Sequence, residues 1–275
     1  MSNSLRRTPL SFAAGRGHEE VVMLLLGRED VDPNLADTDG RTPLAWAVEH
    51  DHYGVVKLLL GRKDVNPDIP NNYGRTPLFL AVTVADTRIM ELLLGREDVN
   101  PNTADQGGQT PLLNAAVNGR YRITQLLLER GDVNPNMSNH AGRTPLSWAA
   151  EKGRDPVVRL LLEREDIIPD IQSYLIQTPL ASAARLGHLG VVKLLLRCKN
   201  VNPNSADRVG RTPLSWAAAS GNDEVVVLLL GQEDVDPNIP DNHGRTPLWW
   251  ASCTRNEGAV NLLKQALQSA NHHVV

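Results

Sequence analysis

Cysteine is scarce in this 275-residue chain, with only Cys198 and Cys253, and a disulfide-built scaffold of this length would carry more. The two fall two repeats apart at different offsets, so a bridge needing Cα atoms within about 7 Å is excluded and both are read as reduced thiols. Long apolar runs are missing as well. No run exceeds six residues, as in Val225 to Leu230, whereas a membrane helix takes about 20. Met1 to Arg7 has no apolar stretch of the kind a secretion signal uses, so the expected location is intracellular, in cytoplasm or nucleus. Nor is there an excess of positive charge: 28 Lys and Arg stand against 32 Asp and Glu, a formal net charge of −4, which argues against nucleic acid as a partner. With 41% hydrophobic and 22% charged residues the chain has the composition of a folded protein rather than a disordered one.

The catalytic motifs are absent too. There is no Gly-rich phosphate loop ending in Lys-Ser/Thr, no Gly-x-Ser-x-Gly, no His-Glu-x-x-His and no Cys-x-x-Cys. No residue therefore marks an enzyme, a metal site or a cofactor site, and the expectation is a non-catalytic protein, with an enzyme whose site carries no recognised motif as the remaining alternative.

What is present is a period. Thr-Pro-Leu begins at Thr8, Thr42, Thr76, Thr110, Thr144, Thr178, Thr212 and Thr246, every interval being 34 residues. A Leu-Leu-Leu triplet follows in phase from Leu24 to Leu228 and becomes Leu262-Leu263-Lys264 in the last copy. An Asp/Asn-Pro pair recurs at Pro33, Pro67, Pro101, Pro135, Pro203 and Pro237, with Ile168-Pro169 as the departure.

Each copy has a physical reading. Thr is a good N-cap and Pro is tolerated at the first helical position, so a short helix starts at every Thr-Pro. A second apolar run, such as Glu19 to Leu26 or Asp223 to Leu230, predicts a second helix ending at or just beyond Gly27, Gly61, Gly95 or Gly231. The segment typified by Asp30 to Arg41 reads as a turn-rich projecting loop. Helices of about eight to ten residues are not stable alone in water, so each copy must bury its apolar faces against its neighbours. The expected fold is an all-α repeat, a solenoid of stacked helix-turn-helix units with projecting loops or short hairpins. Its expected organisation is a lead-in at 1–7, an array at 8–270 and a tail at 271–275.

The segments Gly142 to Ala150 and Gly210 to Ala218, both Gly-Arg-Thr-Pro-Leu-Ser-Trp-Ala-Ala, resemble the ankyrin repeat, as do Gly17-His18 and Gly187-His188 with the Val-Val-x-Leu-Leu-Leu that follows. Nearly the whole chain shares the resemblance. The departures are Ser or Ala where the family has His after Thr-Pro-Leu, an aromatic at Phe12, Trp46, Trp148, Trp216 and Trp250, and one extra residue in the Pro-containing loop. This Trp-rich variety is similar to ankyrin arrays of filamentous fungi, many of them sensor regions of nucleotide-binding receptor proteins.

The resemblance implies a protein-interaction scaffold, a monomer that holds an unidentified protein partner on a concave face made of loop tips and first helices. The tips lie four and three residues before each Thr, and they differ in every copy: Thr38-Asp39, Asn72-Tyr73, Gln106-Gly107, His140-Ala141, Tyr174-Leu175, Arg208-Val209 and Asn242-His243. Gly40, Gly74, Gly108, Gly142, Gly210 and Gly244, two before the Thr, are nearly constant, as a backbone needing positive φ would require. After Thr-Pro-Leu, Phe79, Leu113 and Trp249 are large where Ser or Ala prevails. Tyr73, Phe79 and Leu113 are read as one apolar patch for a partner, with local repacking as the alternative. Trp249 is either a second anchor or an end-cap residue. Copy six, with Tyr174-Leu175-Ile176 at its tip and Gln177 in place of Arg, is either a specialised contact or a decayed copy. The predicted contact residues are Tyr73, Phe79, Leu113, His140, Tyr174, Leu175, Arg208, Val209, His243 and Trp249. His18, His52 and His188 share one offset and are read as frame residues. Asp37, Asp105, Asp207 and Asp241, with Arg41, Arg211 and Arg245, are expected to brace the loops as solvated ion pairs of about 0–1 kcal/mol. Alternatively, the chain is the sensing portion of a larger receptor-like protein, because the first Thr-Pro-Leu lacks a polar capping copy before it.

Overall fold

The structure, a computed structural model, describes residues 6–173 and 177–272. Thr-Pro explains where each copy begins. In all eight, the Thr side chain accepts from the amide three residues on and Pro occupies the first helical turn. These bonds measure 3.1–3.3 Å, from Ser11 to Trp249. The described residues form sixteen helices and no strand.

The chain divides into two compact units, Met1–His140 and Ala141–Val275. The first holds α1 (Pro9–Ala14), α2 (Glu19–Leu26), α3 (Pro43–Glu49), α4 (Tyr53–Leu60), α5 (Pro77–Val84), α6 (Thr87–Leu94), α7 (Pro111–Val117) and α8 (Tyr121–Leu128). The second holds α9 (Pro145–Glu151), α10 (Asp155–Leu162), α11 (Pro179–Leu186), α12 (Leu189–Leu196), α13 (Pro213–Ser220), α14 (Asp223–Leu230), α15 (Pro247–Cys253) and α16 (Glu257–His272).

Within each unit every first helix packs on its partner in the same copy and on the first helix of the next, and second helices pack on second helices. The core is therefore two rows, with the Leu of Thr-Pro-Leu in one and the middle Leu of the triplet in the other. Leu44, Leu78, Leu146 and Leu214 are buried in the first row, as are Leu59, Leu93, Leu161 and Leu229 in the second. Burying such a side chain is worth about 1.5–3 kcal/mol, and it is available only when a neighbouring copy supplies the other wall.

Polar side chains stitch the copies together. His52 reaches the Gly15 carbonyl at 3.3 Å and His188 that of Glu151 at 2.9 Å. At the same offset, Asn222 donates to Ala184 and Arg185, and Asn256 to Ala218 and Ala219. His52 and His188 thus sit in the frame, whereas His18, in the first copy, is exposed.

A second ladder runs at the ends of the second helices. Arg96 donates to the carbonyls of Leu60 (2.9 Å), Arg62 (3.1 Å) and Val65 (3.2 Å), and Arg130 to those of Leu94 and Arg96. Each cation lies at the carbonyl-rich end of the preceding copy's helix, where the helix dipole favours it. Each is also held by the Asp two residues on, Asp98 and Asp132, whose pKa values the Arg hydrogen bond lowers.

The extra residue of the 34-residue period lies in a third ladder. The Asx before each Pro accepts from the amide two residues on, as Asn66 does from Asp68. The Asx after Pro spans to the next copy: Asn34 accepts from the Asn66 amide and donates to the Asp64 carbonyl. Asn102 repeats both bonds with Asn134 and Asp132, and Asn204 with Asp236 and Asp234.

The first copy shows what a neighbour contributes. Val21, Leu24 and Leu35 are exposed there, whereas their counterparts in later copies are buried or half-buried, and a depression of about 280 Å³ opens beside Leu25, Val31 and Leu35. Among the described residues Arg28, the counterpart of Arg96, pairs only with Asp30.

Candidate protein-binding face

The loop before each Thr is built around one acidic or amide side chain. The Asp37 carboxylate accepts from the amides of Asp39 and Arg41 at 2.9 Å, while its own amide donates to the Arg41 carbonyl. The Gly40 amide closes the turn on the Asp37 carbonyl, and Gly40 has φ 77°, which a residue with Cβ adopts poorly. Asn71, Asp105, Asp207 and Asp241 repeat the arrangement.

The other carboxylate oxygen turns inward. It accepts the indole N–H of the Trp nine residues on: Trp46 to Asp37 at 3.0 Å, Trp216 to Asp207 at 3.1 Å and Trp250 to Asp241 at 3.1 Å. The Arg of the same loop lies over that indole, its guanidinium 3.8 Å from the ring centre for Arg41–Trp46, 3.6 Å for Arg211–Trp216 and 4.4 Å for Arg245–Trp250. These carboxylates are 2%, 3% and 0% exposed, so the ion pairs are not the solvated braces expected from sequence. Burial raises the Asp241 carboxyl, but the amides of Arg245 and His243 and the Arg245 guanidinium outweigh it and hold the pKa below its ordinary value. Trp148, whose ninth preceding residue is Asn139, leaves its indole N–H without a hydrogen bond.

Successive tips are bonded to one another. The Asn72 amide donates to the Asp39 carbonyl, Gln106 to Tyr73, His140 to Gly107 and Asn242 to Val209, at 2.9–3.1 Å. Side chains add a parallel bond from Asn72 to Thr38 (2.8 Å), from Gln106 to Asn72 and from Asn242 to Arg208 (2.7 Å each). The tip backbones are thus fixed while side chains stand clear of them.

Tyr73 is 64% exposed, with the Arg75 guanidinium 5.8 Å from its ring centre. His140, Arg208, Val209 and His243 are exposed on their tips, and Trp249 is 43% exposed. Trp249 meets Trp250 edge to face at 5.1 Å.

Phe79 and Leu113 are the correction. They are 2% and 0% exposed, so no apolar patch of Tyr73, Phe79 and Leu113 stands open to a partner. The position is buried in every copy from Ser11 to Ser215, because it lies in the wall between neighbouring copies. Larger side chains there fill that wall, and among the described residues at this offset only Trp249 is exposed. Tyr174 and Leu175 lie outside the described residues, as does Ile176; the Gln177 carbonyl accepts from the Ser173 amide.

Among the described residues, no group of three or more His, Cys, Asp or Glu is placed to hold a metal ion, and no helix is long and apolar enough to cross a membrane.

Paired short helices stacked copy on copy, with bonded loop tips, define a helical repeat protein. The family of ankyrin repeats, in blocks of three copies, matches residues 1–71, 29–103, 62–137, 78–173, 130–207 and 180–273, and the chain belongs to that family. No curated protein matches the chain. Ankyrin repeats generally mediate protein–protein interaction.

Proposed function

We propose that the protein is a non-catalytic scaffold that binds a partner protein on the face formed by its loop tips and first helices. One observation carries the reading. The tip backbones are held in register by hydrogen bonds from copy to copy, yet the side chains they present, Tyr73, His140, Arg208, Val209 and His243, differ and are exposed. A rigid frame bearing variable groups loses little conformational entropy on binding, which is the condition for affinity from a shallow surface. Tyr73 in the first unit and Trp249 in the second are the large amphipathic side chains suited to anchoring. The tip of copy six, Tyr174 and Leu175, belongs to the same proposed set.

The experiment is site-specific photo-crosslinking in cells of the source organism. A photoreactive residue at position 73, 209 or 243 is expected to capture one common protein, and the same residue at Lys57 or Val227, exposed on second helices, is expected not to. Capture from the second helices alone would overturn the assignment.

A second reading, a recognition portion of a larger receptor-like protein, is favoured by the uncovered apolar side chains of the first copy, Val21 and Leu24. An in-frame stop codon immediately upstream of Met1 in the transcript would overturn it.

A further inference from the structure

The second unit carries an alternating stack of guanidinium and indole groups across three copies. Arg185 lies 5.7 Å from the Trp216 ring centre and Arg211 3.6 Å from it; Arg211 is also 5.5 Å from Trp250. Arg245 follows, 4.4 Å from Trp250 and 5.3 Å from Trp249. Each flat cation therefore lies against an aromatic ring, a contact that orients its plane.

The hydrogen-bonding capacity of these cations is mostly unfilled. Arg211 and Arg245 each donate through Nε to their own Asp, at 3.1 and 2.8 Å, leaving their Nη groups unbonded. The Nε of Arg185 is buried and makes no hydrogen bond. Exposed Arg208 adds a fourth guanidinium on the tip between Asp207 and Arg211. The carboxylates among them, Asp207 and Asp241, are buried beneath and already bonded to Trp and backbone N–H groups. A chain with a formal net charge of −4 thus presents a local surplus of oriented positive charge.

We propose that this face binds an acidic, extended segment of a protein partner, with carboxylates received by Arg185, Arg211 and Arg245 in turn. This deepens the scaffold reading above and rests on it. A planar guanidinium with two free Nη groups fits a carboxylate in bidentate fashion. Helices of successive copies pack at about 8–10 Å, and an extended chain advances about 3.3–3.6 Å per residue, so an acidic residue at every third position matches the cation spacing. The aromatic rings between the cations favour the aliphatic stems and backbone of such a segment over a fully hydrated polyanion.

The test uses the full chain and four labelled probes read by fluorescence anisotropy. They are a twelve-residue peptide with Glu at every third position and Ser between, its Gln counterpart, an isomer with the four Glu contiguous, and dodecathymidylate. The spaced Glu peptide is expected to bind at least tenfold more tightly than the Gln peptide and several-fold more tightly than the contiguous isomer. Arg208→Gln and Arg185→Gln, at positions whose side chains hold no bond in the frame, are expected each to weaken it several-fold with an unchanged circular dichroism spectrum. Arg211→Lys, which keeps the charge and loses the fork, is expected to weaken it as well. Equal binding of the Glu and Gln peptides, equal binding of both Glu isomers, tighter binding of dodecathymidylate, or indifference to the Arg substitutions would each overturn the proposal. Crosslinking from positions 209 and 243 that survives excess spaced peptide would reject the acidic ligand and leave the scaffold reading standing. Peptide binding without any crosslinked protein would do the reverse.

Discussion

The indole N–H of Trp46 donates to the Asp37 carboxylate at 3.0 Å, and the other oxygen of that carboxylate accepts the amides of Asp39 and Arg41. One buried side chain thereby shapes the projecting loop and fastens it to the first helix of its copy. Asp37→Ala strands the indole and two amides, and a loss of about 3 kcal/mol is expected in urea unfolding. Asp37→Asn keeps an acceptor, as Asn71 does for Tyr73 and Arg75, and is expected to cost about 1 kcal/mol. Equal losses for the two substitutions would reject this division of roles.

Asp68 and Asp170 stand where Asn34, Asn102 and Asn204 donate to the next copy's carbonyl. Each keeps one oxygen on an amide, from Asn100 at 2.7 Å and from Asn202 at 2.8 Å, while Oδ1 is buried without a partner. Burial raises both pKa values. A carboxyl whose folded pKa lies above its unfolded one opposes folding at neutral pH, a penalty that begins to shrink as pH falls through the folded value and is gone below the unfolded one. Asp68→Asn is expected to stabilise by about 1 kcal/mol at pH 7, with the gain shrinking below that pKa. Thermal melts from pH 7 down to pH 4 check the sign.

Adjacent residues in the third copy are expected to move stability in opposite directions. Ala85 holds φ 68° where five other copies have Gly (Gly17, Gly119, Gly153, Gly187 and Gly221) and two hold Asp51 and Arg255 at similar angles, so Ala85→Gly is expected to stabilise by about 1 kcal/mol, or roughly 2–4 °C. Asp86 caps α6, accepting from the amides of Arg88 and Ile89. The Arg88 side chain, chiefly, and these amides lower its pKa to about 2. Its contribution is therefore present above the ordinary carboxylate value and is lost as pH falls through about 2. Asp86→Ala is expected to cost about 1 kcal/mol at pH 7 and clearly less near pH 2, measured by denaturant titration at both.

Arg96 and Arg28 occupy one offset and differ in what they bond: Arg96 reaches three carbonyls of the preceding copy and Arg28 only the Asp30 carboxylate among the described residues. Arg96→Ala removes three bonds to the carbonyls of Leu60, Arg62 and Val65 and is expected to cost about 2 kcal/mol. Arg28→Ala, whose guanidinium bonds to Asp30 and to no carbonyl of another copy among the described residues, is expected to leave the unfolding midpoint unchanged. A comparable loss at both sites would show that the Asp two residues on, and not the junction, is what matters.

The helices were legible because Thr-Pro-Leu states its own cap, and the second helix predicted at Glu19 to Leu26 is α2 to the residue. The junction chemistry was not. Period alone cannot say whether the residue after Thr-Pro-Leu faces outward or into the neighbouring copy, so Phe79 and Leu113 were read as surface when they fill a wall. The Asp37–Trp46 bond spans nine residues with a turn and a helix start between them. Its signal was nonetheless present: Asp precedes Trp by nine in three copies, and Asn139 before Trp148 breaks the pairing. Of the exposed tips, Tyr73, His140, Arg208, Val209 and His243 stand where the spacing puts them, since that spacing fixes the loop.

The junction bonds recur at fixed offsets of 30, 32, 34 and 37 residues. Excising residues 76–109 joins Arg75 to Thr110 and returns each donor in that unit to an equivalent acceptor. Excising one residue fewer or more leaves three ladders misaligned at once. Length in this protein is quantised, and a gene for it grows or shrinks harmlessly only by whole periods.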